Sequence, residues 1–558
     1  MPSALIRTDL QEHLDWIESQ RPSFDSQKPP DLDPDPSGIV KRDLTETMIN
    51  LTDMYDPRLH NSVNDKDGRY ELATPLSREL EAYIGIRGAP ITVAEYMRQA
   101  LTHPLYGYYT NPTLKDDWDN NNGWEDEAGT PDQFIIGSKG DFVTAPEVSQ
   151  VFGECICVWF ITQWQAMGKP TELQIVELGP GKGTLISDIC RSAMTSFTDF
   201  GNSLKYIHLV EASAVMRSEQ QRKLEELSND NVQFVFEAAK DSVFKDIAKE
   251  SVLLDTSSAP KLAKGTVPLD VPSDPKPDKR TIVVRWHDSF ASVIRESSSE
   301  SLPTLVLCQE FIDALPVHVF EKTKDGWRER MVDIASEDEE ENRKDSKEQD
   351  IKKDSACKNE DQQKEKVTRL RYVLSPDTTP ALRTLLNVSS SGTMESDDAE
   401  VGAICEVCPQ GILLVQDIAQ LLSKNRGSAL IVDYGEEGST DRIRAFSRHE
   451  QVHALSRPGE IDVTADVDFA ALRHAVNAGA EGDSHYAFGP VSQGKFLTSM
   501  GIMERVSGLI EDDNTTDEQA EDLYSALERL VSPEHMGERY KVMAIAKKKD
   551  GIFGPPGF

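Results

Sequence analysis

Gln174-Ile175-Val176-Glu177-Leu178-Gly179-Pro180-Gly181-Lys182-Gly183-Thr184 decides the fold. The short apolar run 174–178 predicts a buried strand, and the glycines after it predict a tight turn into a helix over 184–192. Glycines let the backbone approach a ligand closely, and the helix N-terminus offers free N–H groups. A dinucleotide fingerprint G-x-G-x-x-G would need Gly at 184, where Thr stands, with an acid roughly 20 residues further on. The fit to a nicotinamide cofactor is therefore poor. An acid two residues before the first glycine suits another ligand, because Glu177 at a strand tip can meet the ammonium of an amino-acid moiety, as in S-adenosyl-L-methionine (SAM).

The same logic extends to the next strands. Tyr206 to Val210 predicts a second strand ending in Glu211, where a carboxylate can accept ribose hydroxyls. Thr281 to Arg285 predicts a third, followed by His287-Asp288-Ser289, with Asp288 placed to hold an adenine amino group. Glu177, Gly179, Gly181, Gly183, Glu211 and Asp288 thus surround the place where open α/β sheets bind ligands. The plain alternative is a tight strand-to-helix turn whose acids are helix caps. Further strands are expected at 304–308, 429–432 and 540–546, with a helix near 214–227. Strands alternating with helices predict an α/β fold with a Rossmann-like parallel sheet covered on both faces.

The fourth strand runs into Gln309-Glu310-Phe311-Ile312-Asp313. In a methyltransferase the acceptor approaches beside this strand end, since attack on the methyl must be in line with the departing sulfur. Carboxylates here suit a guanidinium, whose planar fork a paired acid can orient. Glu310 is the first such candidate and Asp313 the second. Against this stands a structural reading in which Asp313 caps a helix and Glu310 pairs with a structural arginine.

The whole chain has 558 residues and a formal net charge of −36. A protein held to nucleic acid by phosphate neutralisation would show the opposite balance. The excess is local: residues 1–76 carry −7, 111–133 carry −6, 335–366 and 391–400 carry −4 each, and 511–522 carry −7, together −28. Residues 1–76 read as a polar, largely disordered tail, since Pro29, Pro30, Pro34 and Pro36 oppose both helix and sheet. A single methyltransferase-type domain is expected over 77–548, with an N-terminal helical part over 77–170 that includes a helix capped by Thr92 and Glu95. Stretches 255–280, 335–366 and 511–522 are read as disordered insertions, too polar to offset their ordering entropy. The second lies between strand-like runs 327–334 and 368–374, which predicts an expanded hairpin. Residues 549–558 form a short C-terminal tail.

Seven cysteines, odd in number and without framework spacing, point to a reducing compartment. Cys405-Glu406-Val407-Cys408 lies in a strand-like run without a second pair or a nearby His, so no metal site is expected. No apolar run is long enough to span a membrane. His103, His449 and His453 are read as loop or core residues, and Tyr106 to Tyr109 as aromatic packing under a turn. The stretch from Met1 to Gln20 carries one Arg and four acids, unlike a signal or transit peptide.

Ordered motifs then mark a family. Ile91-Thr92-Val93-Ala94-Glu95-Tyr96-Met97 is followed by Pro104 to Tyr109, Gly140 to Glu154, Glu177 to Leu185, Glu310 to Val317, Gly326 to Glu329 and Glu406 to Pro409. Val432-Asp433-Tyr434-Gly435, Pro458 to Phe469, Gly489 to Gln493 and Met536 to Tyr540 complete the order. Over about residues 77–548 the chain resembles the mitochondrial complex I assembly factor 7 type of protein arginine methyltransferase, whose bacterial relatives are called MidA-like. The resemblance implies a seven-stranded SAM-dependent methyltransferase sheet with helical and hairpin additions. It also implies symmetric dimethylation of an arginine in the forty-nine-kilodalton subunit of respiratory complex I, in the mitochondrial matrix. Gly179, Gly181 and Gly183 carry over as the cofactor loop, Glu211 as the ribose position, and Gly140 to Glu147 as a covering loop. Gln309 and Lys182 depart from the Asn and Arg common in relatives. Two rival readings are a SAM-binding assembly chaperone without turnover and a methyltransferase with a different acceptor.

Overall fold

The computed structural model describes residues 74–110, 144–238, 279–297, 301–335, 370–385, 399–438, 441–447, 450–478, 480, 484–548 and 554–558. Helix α1 (Pro75–Arg87) starts where Thr74 accepts the Ser77 N–H at 3.0 Å and ends at Gly88 in the left-handed conformation. Leu76, Leu80 and Ile84, four apart, form its buried face. Strand β1 (Ile91–Thr92) leads into α2 (Val93–Thr102), capped as expected by Thr92, which accepts from the Glu95 N–H. After α3 (Ala145–Val148) comes α4 (Gln150–Ala166), most of whose apolar residues, Phe152, Trp159 and Phe160 among them, are buried.

The central sheet is then laid down strand by strand. Strand β2 (Leu173–Leu178) passes through the glycine turn into α5 (Thr184–Thr195), and α6 (Thr198–Ser203) feeds β3 (Leu204–Val210). Helix α7 (Ala214–Glu226) connects to β4 (Val232–Ala238), and β5 (Arg280–His287) runs into α8 (Phe290–Ser297) and β6 (Thr304–Gln309). Strands β7 (His318–Thr323), β8 (Gly326–Ile334) and β9 (Leu370–Leu374) precede α9 (Pro380–Leu385), β10 (Ile404–Val407) and α10 (Pro409–Asn425). The chain re-enters the central sheet with β11 (Gly427–Glu436). Three short strands, β12 (Arg444–Ser447), β13 (Glu450–Val452) and β14 (Asp462–Thr464), make a separate sheet before β15 (Val467–Asp468) and α11 (Phe469–Ala478). Strand β16 (His485–Ser492), helices α12 (Gln493–Ser499), α13 (Ile502–Ile510), α14 (Asp517–Val531) and α15 (Met536–Arg539), and β17 (Tyr540–Lys547) complete the fold.

The central sheet runs β16-β17-β11-β6-β2-β3-β5-β4, with β15 added beside β11. Pairings from β11 to β4 are parallel, whereas β17 is antiparallel to both β11 and β16. Chain order reverses between β2 and β6, the switch point at which open α/β sheets take ligands. Alternate residues of one strand feed the two faces: Ile175 and Leu307 join the core under α4, while Val176 and Val306 join the core under α10 and α11. This is the Rossmann-like methyltransferase arrangement expected from the sequence. It holds one strand more than seven on its main path, because Val232 to Ala238 extends the edge beyond β5.

A second sheet, β1-β8-β7-β10 with β9 on β8, forms its own core with α1 and α2. Strands β8 and β9 pair antiparallel from Arg330–Leu374 to Ile334–Leu370, so the expected hairpin is present at its base. The helical part expected over 77–170 divides between the two cores: α1 and α2 serve the second sheet, and α4 packs on the first. Residues 511–522 depart from the disorder expected of them. Their acids open α14, where Thr516 and Gln519 form a reciprocal capping box, and Asp517 and Glu518 favour the positive helix end. The C-terminal residues also depart from a free tail, since Phe558 packs against Phe496 at 5.8 Å between centroids. The stretches 1–73, 255–278 and 336–366 lie outside the described residues.

Candidate active site

The glycine turn between β2 and α5 holds Gly179, Gly181 and Gly183 at positive φ of 64°, 50° and 78°, a region that costs other residues strain. A Cβ on Gly179 would stand 2.7 Å from the Phe311 ring. Glu177, one residue inside the strand end, is 2% exposed, and its Oε2 has no hydrogen-bond partner among the described residues. Burial alone pushes its carboxyl up to about 8. A buried, unpartnered carboxylate oxygen beside a glycine cradle fits a small ligand bearing a cation.

Glu211 and Asp288 follow the neighbouring strands β3 and β5, so the structure brings all three acids to adjacent strand ends. Glu211 Oε1 accepts the Ser213 N–H at 2.7 Å, and its Oε2 accepts from Gln220 Nε2 at 3.2 Å. Gln220 Nε2 also donates to the Gly181 carbonyl at 2.7 Å, tying Glu211 to the glycine turn. Burial pushes Glu211 up to about 6, against the pull of these donors. Asp288 Oδ1 is engaged by Arg217 at 2.6 Å, and the same guanidinium donates to the Glu211 carbonyl. The acids are thus held in place by one Gln and one Arg from α7.

The second group lies where β6 ends beside β11. Glu310, the first residue past β6, sits at φ 47°, an uncommon conformation for a side chain of its size. Its Oε1 accepts from Gln309 Nε2 at 2.8 Å and from the Ala145 N–H at 3.3 Å. Burial, with Asp313 alongside, pushes it up to about 8. Asp313 Oδ2 accepts the Tyr434 hydroxyl at 2.5 Å, while its Oδ1 and the Gln309 Oε1 are buried without a partner among the described residues. Burial raises Asp313 to about 6, offset by the Tyr434 bond. Burial thus holds Glu310 toward its neutral form, and Gln309 Oε1 and Asp313 Oδ1 stand as orphaned acceptors among the described residues.

Four further residues join this group, three of them given no role from the sequence. Asp433, fully buried on β11, accepts the N–H groups of Phe311, Ile312 and Asp313 at 3.3, 3.0 and 3.4 Å and so shapes the turn that carries the acids. Burial and the neighbouring Asp313 and Glu310 push its own carboxyl upward. Tyr434, Tyr540 and Tyr109 complete the wall: Tyr540 bonds Glu310, and Tyr109 donates to Asp462 at 3.0 Å while lying within the field of Asp313 and Glu310. Tyr109 is therefore part of the site rather than only packing under a turn. An acid ending a strand beside β6 was the available signal for Asp433. The three tyrosines lie within the ordered motifs, but no local feature tied them to Glu310 or Asp313.

Helix α3 touches both groups. Ala145 reaches Glu310, and Glu147 accepts the hydroxyl of Thr184, the first residue of α5. Residues 140–143 of the expected covering loop lie outside the described residues. Cys405 is buried in β10, and Cys408 caps α10, its Sγ accepting the Gly411 N–H at 3.3 Å. Among the described residues no helix is long and apolar enough to cross a membrane.

Comparison with known proteins agrees with the sheet arrangement and with the ordered motifs. The family described as S-adenosyl-L-methionine-dependent methyltransferase matches residues 155–486. The human mitochondrial protein arginine methyltransferase NDUFAF7 is 33% identical over 478 residues, covering 85% of this chain and 83% of that protein. The Bos taurus protein of the same name is 34% identical over 480 residues with the same coverages. The Drosophila melanogaster homolog is 30% identical over 472 residues, covering 84% of each. A Burkholderia thailandensis protein solved bound to S-adenosyl-homocysteine superposes with a TM-score of 0.54 at 20% identity, covering 87% of this chain and 97% of that chain. That likeness shows the shared fold. Ordered motifs, sheet order and identity converge, and the chain belongs to the S-adenosyl-L-methionine-dependent methyltransferase family that includes NDUFAF7, with S-adenosyl-L-methionine as its cofactor.

Proposed function

We propose that this protein is a protein arginine N-methyltransferase that forms symmetric dimethylarginine in the forty-nine-kilodalton subunit of respiratory complex I, in the mitochondrial matrix. The relatives' names support arginine and the mitochondrion. The observation that carries the acceptor chemistry is the pair of orphaned buried oxygens, Asp313 Oδ1 and Gln309 Oε1, beside Glu310. A guanidinium supplies several N–H donors in a plane, matching a set of acceptors that otherwise stand unpaired.

Glu177 would take the cofactor's ammonium, Glu211 its ribose hydroxyls and Asp288 its adenine amino group, with Gly179, Gly181 and Gly183 letting the backbone come close. The bound cofactor supplies an electrophilic methyl on sulfur. Asp313 and Glu310 would hold the acceptor guanidinium in line with it. Entry of that cation favours the ionised form of Glu310, so a proton leaves on binding and the ionised carboxylate can accept the proton shed after transfer.

The test is transfer of labelled methyl to an N-terminal peptide of that complex I subunit, with the product read as symmetric dimethylarginine. Gly181→Val should abolish it. Glu310→Gln should cut turnover by ~10²-fold or more while leaving SAM affinity within about twofold, because the loss falls on acceptor orientation. Label on lysine, or tight subunit binding with no label, would overturn the arginine reading.

A further inference from the structure

Asp466, just past β14, is 3% exposed and is shared by three guanidiniums: Arg442 at 3.0 Å, Arg444, and Arg539 at 3.2 Å. Arg444 and Arg539 also lie over the Tyr434 ring, 5.1 and 6.0 Å from its centroid. Tyr434 is the residue whose hydroxyl holds Asp313. The cluster is therefore one aromatic ring away from the proposed acceptor acids.

Among the described residues its charges do not balance. Buried ions are normally matched by a partner, since stripping water from an unpaired charge costs several kcal/mol by order of magnitude. Here one carboxylate serves three cations. Glu406 accepts the N–H groups of Arg442 and Ile443, and burial drives it toward its neutral form. Asp313, across Tyr434, is assigned to the acceptor. Arg444, 3% exposed, has a buried Nε without a partner among the described residues. Arg442 and Arg539 keep 29% and 22% of their side chains exposed, so a ligand can reach them.

We propose that Arg442 and Arg539, backed by Arg444, form an anion subsite that takes the carboxylate of an Asp or Glu flanking the acceptor arginine in the substrate protein. The proposal rests on the arginine reading above and adds the substrate's second determinant. Two guanidiniums can grip a carboxylate by bidentate bonds. The span of one tyrosine ring corresponds to about one to three residues of extended chain at roughly 3.3–3.6 Å each. The subsite also gives meaning to the lone Asp466, which holds three like charges together until the anion arrives.

The experiment compares peptides carrying one arginine with a neutral flank or with Asp at each of the three positions on either side. Methylation and equilibrium binding by anisotropy are both read on the full chain with SAM. One acidic position should improve kcat/KM and Kd about tenfold, mainly through KM. Arg442→Gln and Arg539→Gln should each reduce that ratio toward one, Arg442→Lys should restore part of it, and Arg442→Glu should turn the preference toward a Lys-flanked peptide. Absence of any acid preference in the unmodified protein sinks the subsite, as does a preference that survives both Gln variants. Peptides with the arginine replaced by norleucine separate the two readings. Kept acid preference without arginine dependence leaves the subsite standing and removes the arginine acceptor, whereas arginine dependence without acid preference does the reverse.

Discussion

Glu177 concentrates the cofactor question in one side chain. Its carboxyl is buried without a partner among the described residues and pushed up to about 8, so below that pH the free protein holds it mostly neutral. An ammonium ligand needs the ionised form, and binding must expel the proton. SAM affinity is therefore expected to rise between pH 6 and 8, by up to about tenfold per unit. Titration calorimetry in buffers of different ionisation enthalpy should show proton release, and Glu177→Gln should weaken binding and flatten the profile. A pH-independent affinity in the unmodified protein would remove Glu177 from the ammonium site. At this scale the sequence was informative where chemistry and backbone coincide: an acid and three glycines packed into one short turn announce themselves. Asp433, Tyr434 and Tyr540 did not, because each meets Glu310 or Asp313 from a distant part of the chain.

At the scale of elements, β11 organises the surroundings of Glu310 and Asp313. It pairs with β6 and β17 in the main sheet and at its end with β15, and it carries Asp433 and Tyr434. Gly435, at φ 153°, lets β15 come so close that an added Cβ would stand 2.2 Å from the Val467 carbonyl. Ala465, just ahead of β15, donates its N–H to the Asp313 carbonyl at 2.9 Å. Gly435→Ala should therefore displace β15, costing ~1–3 kcal/mol of stability, and disturb Asp313 with it. A lowered urea midpoint with a fall in kcat greater than any change in SAM affinity is the expected pattern. An unchanged midpoint would show that β15 moves freely. The strand cores of this sheet were legible as apolar runs. Strand β4 (Val232–Ala238) was not separated from its surroundings in the sequence reading, and it sits at the sheet edge.

Across the whole molecule, a polar chain threads the middle of the sheet. His208 Nδ1 meets His287 Nε2 at 2.8 Å, His208 Nε2 meets Gln174 at 3.3 Å, and Gln174 donates to Thr304 at 2.9 Å. Burial, then nearby cations, lowers His287 to about 4, and burial with His287 and Arg285 lowers His208 well below the ordinary histidine value. Both are neutral in the folded protein. As pH falls below the ordinary histidine value of about 6.5, the unfolded chain takes up protons that the folded one resists, and stability is lost toward pH 4. Glu177, Glu310 and Asp313 act with the opposite sign: their raised values mean that folding is opposed as pH climbs from the ordinary carboxyl range toward 8. Urea midpoints at pH 5 and 7 should show a smaller acid-side loss in His208→Gln than in the unmodified protein, even if both its midpoints are lower. An equal loss would place the acid sensitivity elsewhere.

The sequence by itself determined the α/β class, the glycine turn and its acid, the two further strand-end acids and the carboxylates Glu310 and Asp313 after β6, because each is written in neighbouring residues with a period or a spacing. It also located most of the −36 in tails and interruptions. Only the tertiary structure decided that 511–522 opens a helix, that the N-terminal helices divide between two cores, and that Asp433, three tyrosines and three arginines around Asp466 converge on the end of β6. Those contacts join elements far apart in the chain, and their strength comes from shared burial, which no single stretch of sequence carries.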